Sequence, residues 1–264
     1  MPELPEVETV VRSIAPVTGQ RIVSAEFRNL RILRGGDPDA MSARLQGQRI
    51  SAVQRYGKFI VASIDGGGYL MIHLGMTGRL LLGGDTGKHT HAIFTFENAS
   101  LLFDDSRQFG CIEFSEGFPS RVARLGPEPL EIPFDDFAAS LKRHKTRIKS
   151  LLLNQTFVRG VGNIYADEAL FRAGIHPLTS TRRIRRDRAR RLYDAIIAVL
   201  TEAIAAGGSS ISDYVDAEGR KGFFQISHRV YQRTGEPCTS CRTPIQRVIV
   251  TQRSSHFCPK CQKR

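Results

Sequence analysis

The sequence from residue 50 to residue 73 reads ISAVQRYGKFIVASIDGGGYLMIH. It contains short apolar or alternating runs that are separated by glycine-containing turns. Runs rich in Val, Ile, Tyr and Phe and bounded by glycine are typical of β-strands. The stretch therefore predicts three consecutive strands, at Ile50–Gln54, Phe59–Ile64 and Tyr69–His73.

Runs of the same kind occur on both sides of this stretch. A short helix is predicted at residues 7–15, and further strands are predicted at Arg21–Phe27, Ala92–Phe96, Ser100–Phe103 and Cys111–Phe114. Many short strands within one region favour a β-sandwich or a barrel.

The periodicity changes after residue 133. Residues 126–133 contain three prolines and are interpreted as a linker. Helical spacing follows at Phe134–Leu153, Tyr165–Arg172 and Asp187–Ala206, and short strands return from about Gly222. We therefore expect an α+β chain with domains at 1–130, 131–221 and 222–264.

Composition and charge restrict the class of protein. The chain has 264 residues, of which 41% are hydrophobic, and this content excludes a disordered chain. No apolar run approaches the roughly 18 residues of a membrane span, and the acidic start does not resemble a secretory signal. Residues 1–130 hold 14 basic and 14 acidic side chains, whereas residues 131–264 hold 24 and 12. This asymmetry favours a polyanion partner, above all nucleic acid; a solvated basic surface is the alternative, and a membrane surface is less favoured.

Four cysteines near the end of the chain have the spacing of a metal site. Two C-x2-C pairs are separated by 16 residues, which leaves room for one hairpin with strands at 245–251 and 253–257. Such pairs present four thiolates to a tetrahedral zinc ion, although unrelated thiols or disulfides are the alternative. The predicted ligands of one structural zinc ion are Cys238, Cys241, Cys258 and Cys261. The fifth cysteine, Cys111, is predicted to be a core residue.

The N-terminus carries candidate catalytic groups. Removal of Met1 would leave Pro2 as a secondary amine, and an amine can attack a sugar carbon to form a charged iminium. Glu3 and Glu6 offer carboxyls for acid–base work. An ordinary helix start with two prolines and acidic residues is the alternative interpretation.

Residues 1–9, MPELPEVET, resemble the opening of the bacterial formamidopyrimidine-DNA glycosylases, which are base-excision repair enzymes. The resemblance continues in order along the chain, at residues 56–59, 73–78, 125–130, 160–168, 213–215, 235–238 and 257–262. It implies an N-terminal β-sandwich with a flanking helix, a helix–two-turns–helix region and a zinc β-hairpin. It also implies a glycosylase and AP lyase that removes oxidised purines from double-stranded DNA and cleaves the strand by β,δ-elimination. We further expect a monomer in the bacterial cytoplasm, associated with the nucleoid.

The resemblance also implies residue roles. Pro2 would be the nucleophile, Glu3 the acid, Lys58 a lesion-binding and proton-transfer group, and Arg253 an aid to the second elimination and a phosphate ligand. Residues implied in DNA binding are His73, Met76, His91, Arg107, Phe109, Lys145, Lys149 and Asn163.

Three of these residues would fill the gap left by a flipped base. Met76 and Phe109 would occupy the base stack, and Arg107 would hydrogen-bond the orphaned base. Several of these implied roles have a structural alternative. Met76 and Phe109 are alternatively core residues, Asn163 a helix cap, Lys58 and Arg253 exposed cations, and His89 and His91 exposed loop residues.

Some features depart from the family pattern. Ser106 and Gln108 flank Arg107 where the family more often has proline and a basic residue, so selectivity for the opposite base is in question. The basic run Arg182–Arg191 matches no family signature. It is either a solvated helix face or an additional source of electrostatic attraction for DNA. Two other functions stay open: an endonuclease VIII-like glycosylase for oxidised pyrimidines, which usually has glycine in place of Leu4, and a non-catalytic zinc-ribbon DNA-binding protein.

Overall fold

The structure, a computed structural model, describes residues 1–211 and 214–264. Asp213, which opens one stretch of the family resemblance, lies outside the described residues. The chain forms two compact units: unit 1 contains residues 1–124 and 206–225, and unit 2 contains residues 125–205 and 226–264. The three domain ranges expected from the sequence stay a prediction, and the contacts add that residues 206–225 pack with unit 1.

Unit 1 contains two antiparallel four-stranded sheets, with strand orders β2-β3-β4-β8 and β1-β6-β7-β5. The strands are β1 (Ile22–Phe27), β2 (Ile50–Tyr56), β3 (Phe59–Ile64), β4 (Tyr69–His73), β5 (Arg79–Leu82), β6 (Thr90–Phe96), β7 (Ser100–Asp104) and β8 (Cys111–Ser115). The helices of this unit are α1 (Leu4–Ser13), α2 (Pro38–Leu45) and α3 (Ser120–Ala123). Buried side chains from both sheets and from α1 and α2 form one apolar core. The expected β-sandwich is confirmed.

The register of β3 against β4 brings two candidate residues to one end of their sheet. Phe59 pairs with His73 across the ladder, and Lys58 directly precedes Phe59 in the two-residue turn after β2. Gly57 enters that turn with a φ of 60°, a conformation that glycine adopts without steric cost. Lys58 and His73 therefore lie at the same end of this sheet.

Unit 2 contains helices followed by a hairpin. The elements are α4 (Phe134–Arg143), α5 (Ile148–Leu152), α6 (Asn163–Arg172), α7 (Arg186–Ala205), β9 (Gln246–Val250) and β10 (Arg253–Phe257). The helix α6 packs against both α7 and β10. Across residues 1–211 and 214–264, no helix has the length and apolar character needed to cross a bilayer.

The structure differs from the sequence expectations at several elements. The helix expected at 134–153 is interrupted at residues 144–147, because this segment pairs with residues 180–181: the Thr181 hydroxyl donates to the His144 carbonyl at 2.6 Å. The helices α2 and α3 and the strand β5 were not expected. Asp37 caps α2 by accepting the N–H groups of Asp39 and Ala40, a signal that the sequence does contain.

Candidate active site and nucleic-acid interface

The N-terminal residues of unit 1 are fixed by a carboxylate clamp. Pro2 and Glu3 are buried directly before α1. The Glu3 N–H donates to Glu6 Oε2 at 2.8 Å, and the Ser209 N–H donates to Glu6 Oε1 at 2.7 Å. Both carboxylate oxygens of Glu6 therefore accept backbone N–H groups, and Glu6 positions the N-terminal residues. The sequence alone did not indicate this role.

Residues 206–225 complete the clamp. Gly208 has a φ of 81°, and an added Cβ would lie 2.9 Å from Glu6 Oε1, so only glycine fits beside this carboxylate. The Tyr214 hydroxyl donates to the Glu6 carbonyl at 3.2 Å, and burial raises the pKa of that tyrosine. No local pattern predicted these contacts, because they join residues about 200 positions apart in the chain.

Lys58 is 8% exposed, which excludes the alternative of an exposed surface lysine. It lies close enough to His73 to affect its titration: burial, followed by the charges of Arg121 and Lys58, lowers the pKa of His73 to about 4. His73 Nδ1 accepts the Gly75 N–H at 3.1 Å, so the neutral ring carries its proton on Nε2. His73 is therefore an uncharged donor near neutral pH.

Two adjacent loops bring together the three candidate wedge residues. The loop after β4 carries Met76, which is 40% exposed, and the loop after β7 carries Phe109, which is 54% exposed. The guanidinium of Arg107 lies over the Phe109 ring at 4.7 Å. The exposure of Met76 and Phe109 excludes the core alternative for both.

The wedge loops are joined by Asp105, which is fully buried. Its carboxylate accepts a hydrogen bond from the Thr77 hydroxyl of the first loop. It also accepts one from the Gly110 N–H of the second loop, at 2.7 Å. His91 Nε2 lies 2.8 Å from the Asp105 carbonyl, and His91 is buried in β6. His91 therefore does not lie in an exposed loop: its buried ring contacts the backbone of Asp105 and supports the wedge loop.

In unit 2, Asn163 and Arg253 line one open polar pocket of about 440 Å³. Its remaining lining residues are Tyr231, Gln232, Arg247, Gln252, Ser254 and His256. Asn163 is the first residue of α6, while Gly162 occupies the cap position, so the capping alternative for Asn163 is not observed. Its Oδ1 atom is buried with no hydrogen-bond partner among the described residues. Helix N-termini favour anions, so the pocket can accept a phosphate.

Lys149 differs from the expected DNA contact. Its side chain is 0% exposed, and Nζ donates to Asp167 Oδ1 at 2.6 Å and to the Ser254 carbonyl at 3.1 Å. Asp167 also accepts the His256 N–H at 2.9 Å. Lys149 therefore ties α5 and α6 to the hairpin, whereas Lys145 is exposed in the loop before α5.

Another side of the pocket depends on Glu168, which sequence reasoning did not single out. Its buried carboxylate accepts the N–H groups of Arg229, Val230 and Tyr231 at 2.9 to 3.1 Å. This fixes the segment that contributes Tyr231 and Gln232 to the pocket.

The four tail cysteines form a group suited to one metal ion. All four sulfur atoms lie within 4.8 Å of one another, with 3.9 Å between Cys238 and Cys261 and 3.4 Å between Cys241 and Cys258. Tetrahedral zinc with Zn–S bonds of about 2.3 Å requires sulfur separations of about 3.8 Å. The donor set therefore fits zinc. Cys111 is buried in β8 of unit 1, as expected.

Comparison with known proteins accounts for most of the chain. Residues 1–112 match the model of the formamidopyrimidine-DNA glycosylase N-terminal domain, residues 125–215 the H2TH domain of that enzyme, and residues 235–264 the zinc finger found in FPG and IleRS. A formamidopyrimidine-DNA glycosylase of Solibacter usitatus is 80% identical over 264 residues and the whole of both chains. The chain belongs to the formamidopyrimidine-DNA glycosylase family.

Solved structures of the family agree with the fold. MutM (Fpg) of Thermus thermophilus is 42% identical with a TM-score of 0.90, and the match covers 99% of this chain and 98% of that one. Lactococcus lactis Fpg in complex with DNA containing an abasic site is 36% identical with a TM-score of 0.90, over 99% and 100% of the two chains.

Membership in the family settles several expectations. This formamidopyrimidine-DNA glycosylase is a DNA-repair glycosylase and AP lyase, with damaged DNA as its partner and one structural zinc ion. The α+β fold, with a sandwich, a helix–two-turns–helix region and a zinc hairpin, is confirmed. The family assignment displaces both the endonuclease VIII-like and the non-catalytic alternatives.

Proposed function

We propose that this glycosylase removes 8-oxoguanine and formamidopyrimidines by attack of the Pro2 amine, and then cleaves the strand at the same site. Related chains have been crystallised with Fapy-dG-containing DNA and with carbocyclic 8-oxoG-containing DNA, which supports this class of lesion. The observation that carries the proposal is the Glu6 clamp, because it fixes Pro2 and Glu3 together immediately before α1.

The first step releases the base. After Met1 is removed, the Pro2 nitrogen attacks C1′ of the sugar, the C1′–base bond breaks, and the base leaves with a proton from Glu3. Opening of the sugar ring then leaves an iminium between C1′ and the Pro2 nitrogen.

The second stage cleaves the strand. The iminium withdraws electrons from C2′, so loss of a C2′ proton expels the 3′ phosphate, and a further elimination expels the 5′ phosphate. Lys58 serves proton transfer in the first elimination, and Arg253 assists the second while it binds phosphate. Hydrolysis of the iminium finally releases Pro2.

The DNA-binding roles divide between the two units. His73, as a neutral donor, and Asn163, at the start of α6, bind phosphates, and Lys145 adds a positive charge. Met76 and Phe109 fill the gap that the flipped nucleotide leaves in the base stack, while Arg107 donates hydrogen bonds to the orphaned base. Gln108, which follows Arg107 in the wedge loop, has a φ of 56°, a left-handed conformation that residues other than glycine rarely adopt.

Trapping with borohydride tests the amine mechanism. With lesion duplex, the wild-type enzyme is expected to form a covalent complex, because borohydride reduces the iminium to a stable amine. Pro2→Gly is expected to bind the duplex and to trap poorly. An active preparation that retains Met1, or that gives no trapped complex, would overturn the proposal.

A second variant separates the two stages. Glu3→Gln removes the acid for base departure, so excision of 8-oxoguanine is expected to fall by about 100-fold or more. Cleavage of a duplex that already contains an abasic site needs no departing base, and is expected to fall far less. Equal losses on both duplexes would contradict the role of Glu3.

We also propose that the enzyme works on chromosomal DNA in the bacterial cytoplasm. The support is its similarity to bacterial enzymes and the basic charge of the second half of the chain. Fluorescence imaging of a fusion at the C-terminus, which leaves Pro2 unaltered, tests this location; a signal excluded from the nucleoid would contradict it.

A further inference from the structure

The basic run between residues 182 and 191 divides into two parts with different surroundings. In the later part, Arg186 pairs with Asp135 and lies over the Phe134 ring, and Arg190 lies over the same ring at 3.7 Å. Arg188 donates to the Lys263 carbonyl at 2.8 Å. These arginines are used in the packing of α7 against its neighbours.

The earlier part has no such partners. Arg182, Arg183 and Arg185 are exposed, and among the residues that the structure describes their side chains make no hydrogen bond, ion pair or ring contact. We call these three residues the arginine ledge. Residues 179–186 and 137–147 contain no acidic side chain. Three cations within four residues repel one another, and no carboxylate in these flanking segments compensates for that cost.

The backbone under the ledge is rigidly held. Thr181 is buried, and its N–H donates to the Thr146 carbonyl at 2.9 Å while its hydroxyl donates to the His144 carbonyl. Ile184 is buried between the arginines. The ledge therefore presents three guanidinium groups from a fixed platform.

Within unit 2, a series of direct contacts and neighbouring residues runs from the ledge to the phosphate pocket. Arg147 forms a β-bridge with Ser180 next to the ledge, and α5 starts one residue later. Ser150 lies in α5, three residues after Arg147, and its hydroxyl is 2.8 Å from that of Thr251 in the hairpin turn. Gln252 and Arg253, the next residues, line the pocket.

We propose that the arginine ledge binds the phosphate backbone of duplex DNA outside the lesion site and lengthens the footprint of this enzyme. Guanidinium groups bind phosphates bidentately and remain charged at all working pH values. The contact is independent of base sequence, and therefore adds affinity for any flanking duplex.

The test compares Arg182→Gln/Arg183→Gln/Arg185→Gln with a matched control, Arg186→Gln/Arg190→Gln/Arg191→Gln. Both variants remove three charges from the same run, but only the first removes the ledge. Affinity is measured against salt concentration for lesion duplexes of about 10 and about 30 base pairs, or one and three helical turns. Glycosylase activity on the short duplex reports an intact active site.

The ledge variant is expected to lose affinity for the long duplex only. Its slope of log affinity against log salt should fall by roughly 0.9 for each phosphate that the ledge no longer neutralises, or up to about 2.7. Its melting temperature should stay the same or rise, because the repulsion is relieved. The control variant should keep the long-duplex slope to within about 0.9, the equivalent of a single phosphate.

Three results would overturn the proposal. They are an unchanged slope on the long duplex, an equal fall in affinity for the short duplex, and an equal fall in the control. An unchanged slope would mean that the ledge does not bind DNA and would favour a different partner, such as an acidic protein. An equal fall in the control variant would mean that net charge alone causes the loss of affinity.

Discussion

At the scale of single residues, the lowered pKa of His73 makes the stability of the protein depend on pH. Burial and the nearby charges of Arg121 and of Lys58, in the turn after β2, lower this pKa. The His73 pKa of about 4 in the folded protein is lower than the value of about 6.5 expected in the unfolded chain. As the pH falls from 6.5 to 4, the unfolded chain binds a proton that the folded protein does not. The free energy of unfolding therefore falls across this window, by at most about 3 kcal/mol from His73.

We expect His73→Gln to remove this component. Urea unfolding of both proteins between pH 4 and pH 7 should give a stability difference that changes with pH in the direction stated. Parallel curves would show that His73 takes up its proton at the same pH in the folded and the unfolded protein. Since His73 is neutral at pH 7, the same variant should leave the salt dependence of DNA binding unchanged at that pH.

Some residue roles could be predicted from the sequence and others could not. Local spacing or motif singles out Pro2, Lys58 and the cysteines as candidates, and the catalytic roles of Pro2 and Lys58 stay predictions. The roles of Glu6, Asp105 and Glu168 depend on bonds to backbone N–H groups that other loops bring close, and no pattern of side chains encodes those contacts. For the same reason, the family resemblance implied a DNA contact for Lys149, whereas the structure pairs its buried side chain with Asp167.

At the scale of elements, the wedge depends on close contact between the loops after β4 and β7. A Cβ added at Gly75 would lie 2.4 Å from the backbone carbon of Phe109, and Gly75 has a φ of 62°. Gly83 is the matched control, since its φ is 68° and nothing lies within 4 Å of an added Cβ. Both substitutions carry the same conformational strain, of about 1 kcal/mol, and only the first separates the loops.

We therefore expect Gly75→Ala to lower lesion excision and stability more than Gly83→Ala does. Excision under single-turnover conditions and thermal unfolding measure the two effects. Equal effects of the two substitutions would show that Met76 and Phe109 do not need the observed loop contact.

The attachment of the zinc hairpin to α5 and α6 gives a second prediction at this scale. Lys149→Met leaves the buried Asp167 carboxylate without its cation, and is expected to cost about 3 to 5 kcal/mol of stability. Lys149→Met/Asp167→Asn removes both charges and keeps an acceptor for the His256 N–H, so it should recover part of that stability.

The double variant also decides whether Lys149 touches DNA. If the lysine acts through the hairpin, the salt slope of DNA binding should be unchanged. If it contacts a phosphate directly, the slope should fall by about 0.9, and the buried pair would not describe the bound state.

The limits of sequence reasoning at this scale have a physical cause. Residues 134–153 have helical periodicity throughout, yet the helix stops at Arg143 because segment 144–147 pairs with a distant segment. The strand β5 consists of only four residues, Arg79–Leu82. So short a segment does not let hydrophobic periodicity distinguish a strand from a helix or a loop.

At the scale of the whole molecule, the zinc ion compensates for a small core around the hairpin. Its buried cluster includes Phe171, Val230, Ile245 and two of the cysteines. Removal of zinc by a chelator is therefore expected to unfold residues 235–264 and to abolish DNA binding, with recovery after zinc is restored.

Hydrogen exchange measures this outcome locally. Amides of β9 and β10 should become unprotected when zinc is removed, while amides of β3 and β4 in unit 1 should keep their protection. Retained protection in the hairpin of a zinc-free sample would show that the tail folds without metal.

The path of the chain between the two units has a consequence for biosynthesis. Unit 1 begins at the N-terminus but is completed only by residues 206–225, and the Glu6–Ser209 bond spans 203 positions. At 5 to 20 residues per second, a ribosome needs about 10 to 40 seconds to deliver Ser209 after Glu6. The eight strands of the sandwich are complete at Ser115, so during most of that interval unit 1 lacks only residues 206–225, and the amine-bearing end acquires its final geometry only when translation is almost over.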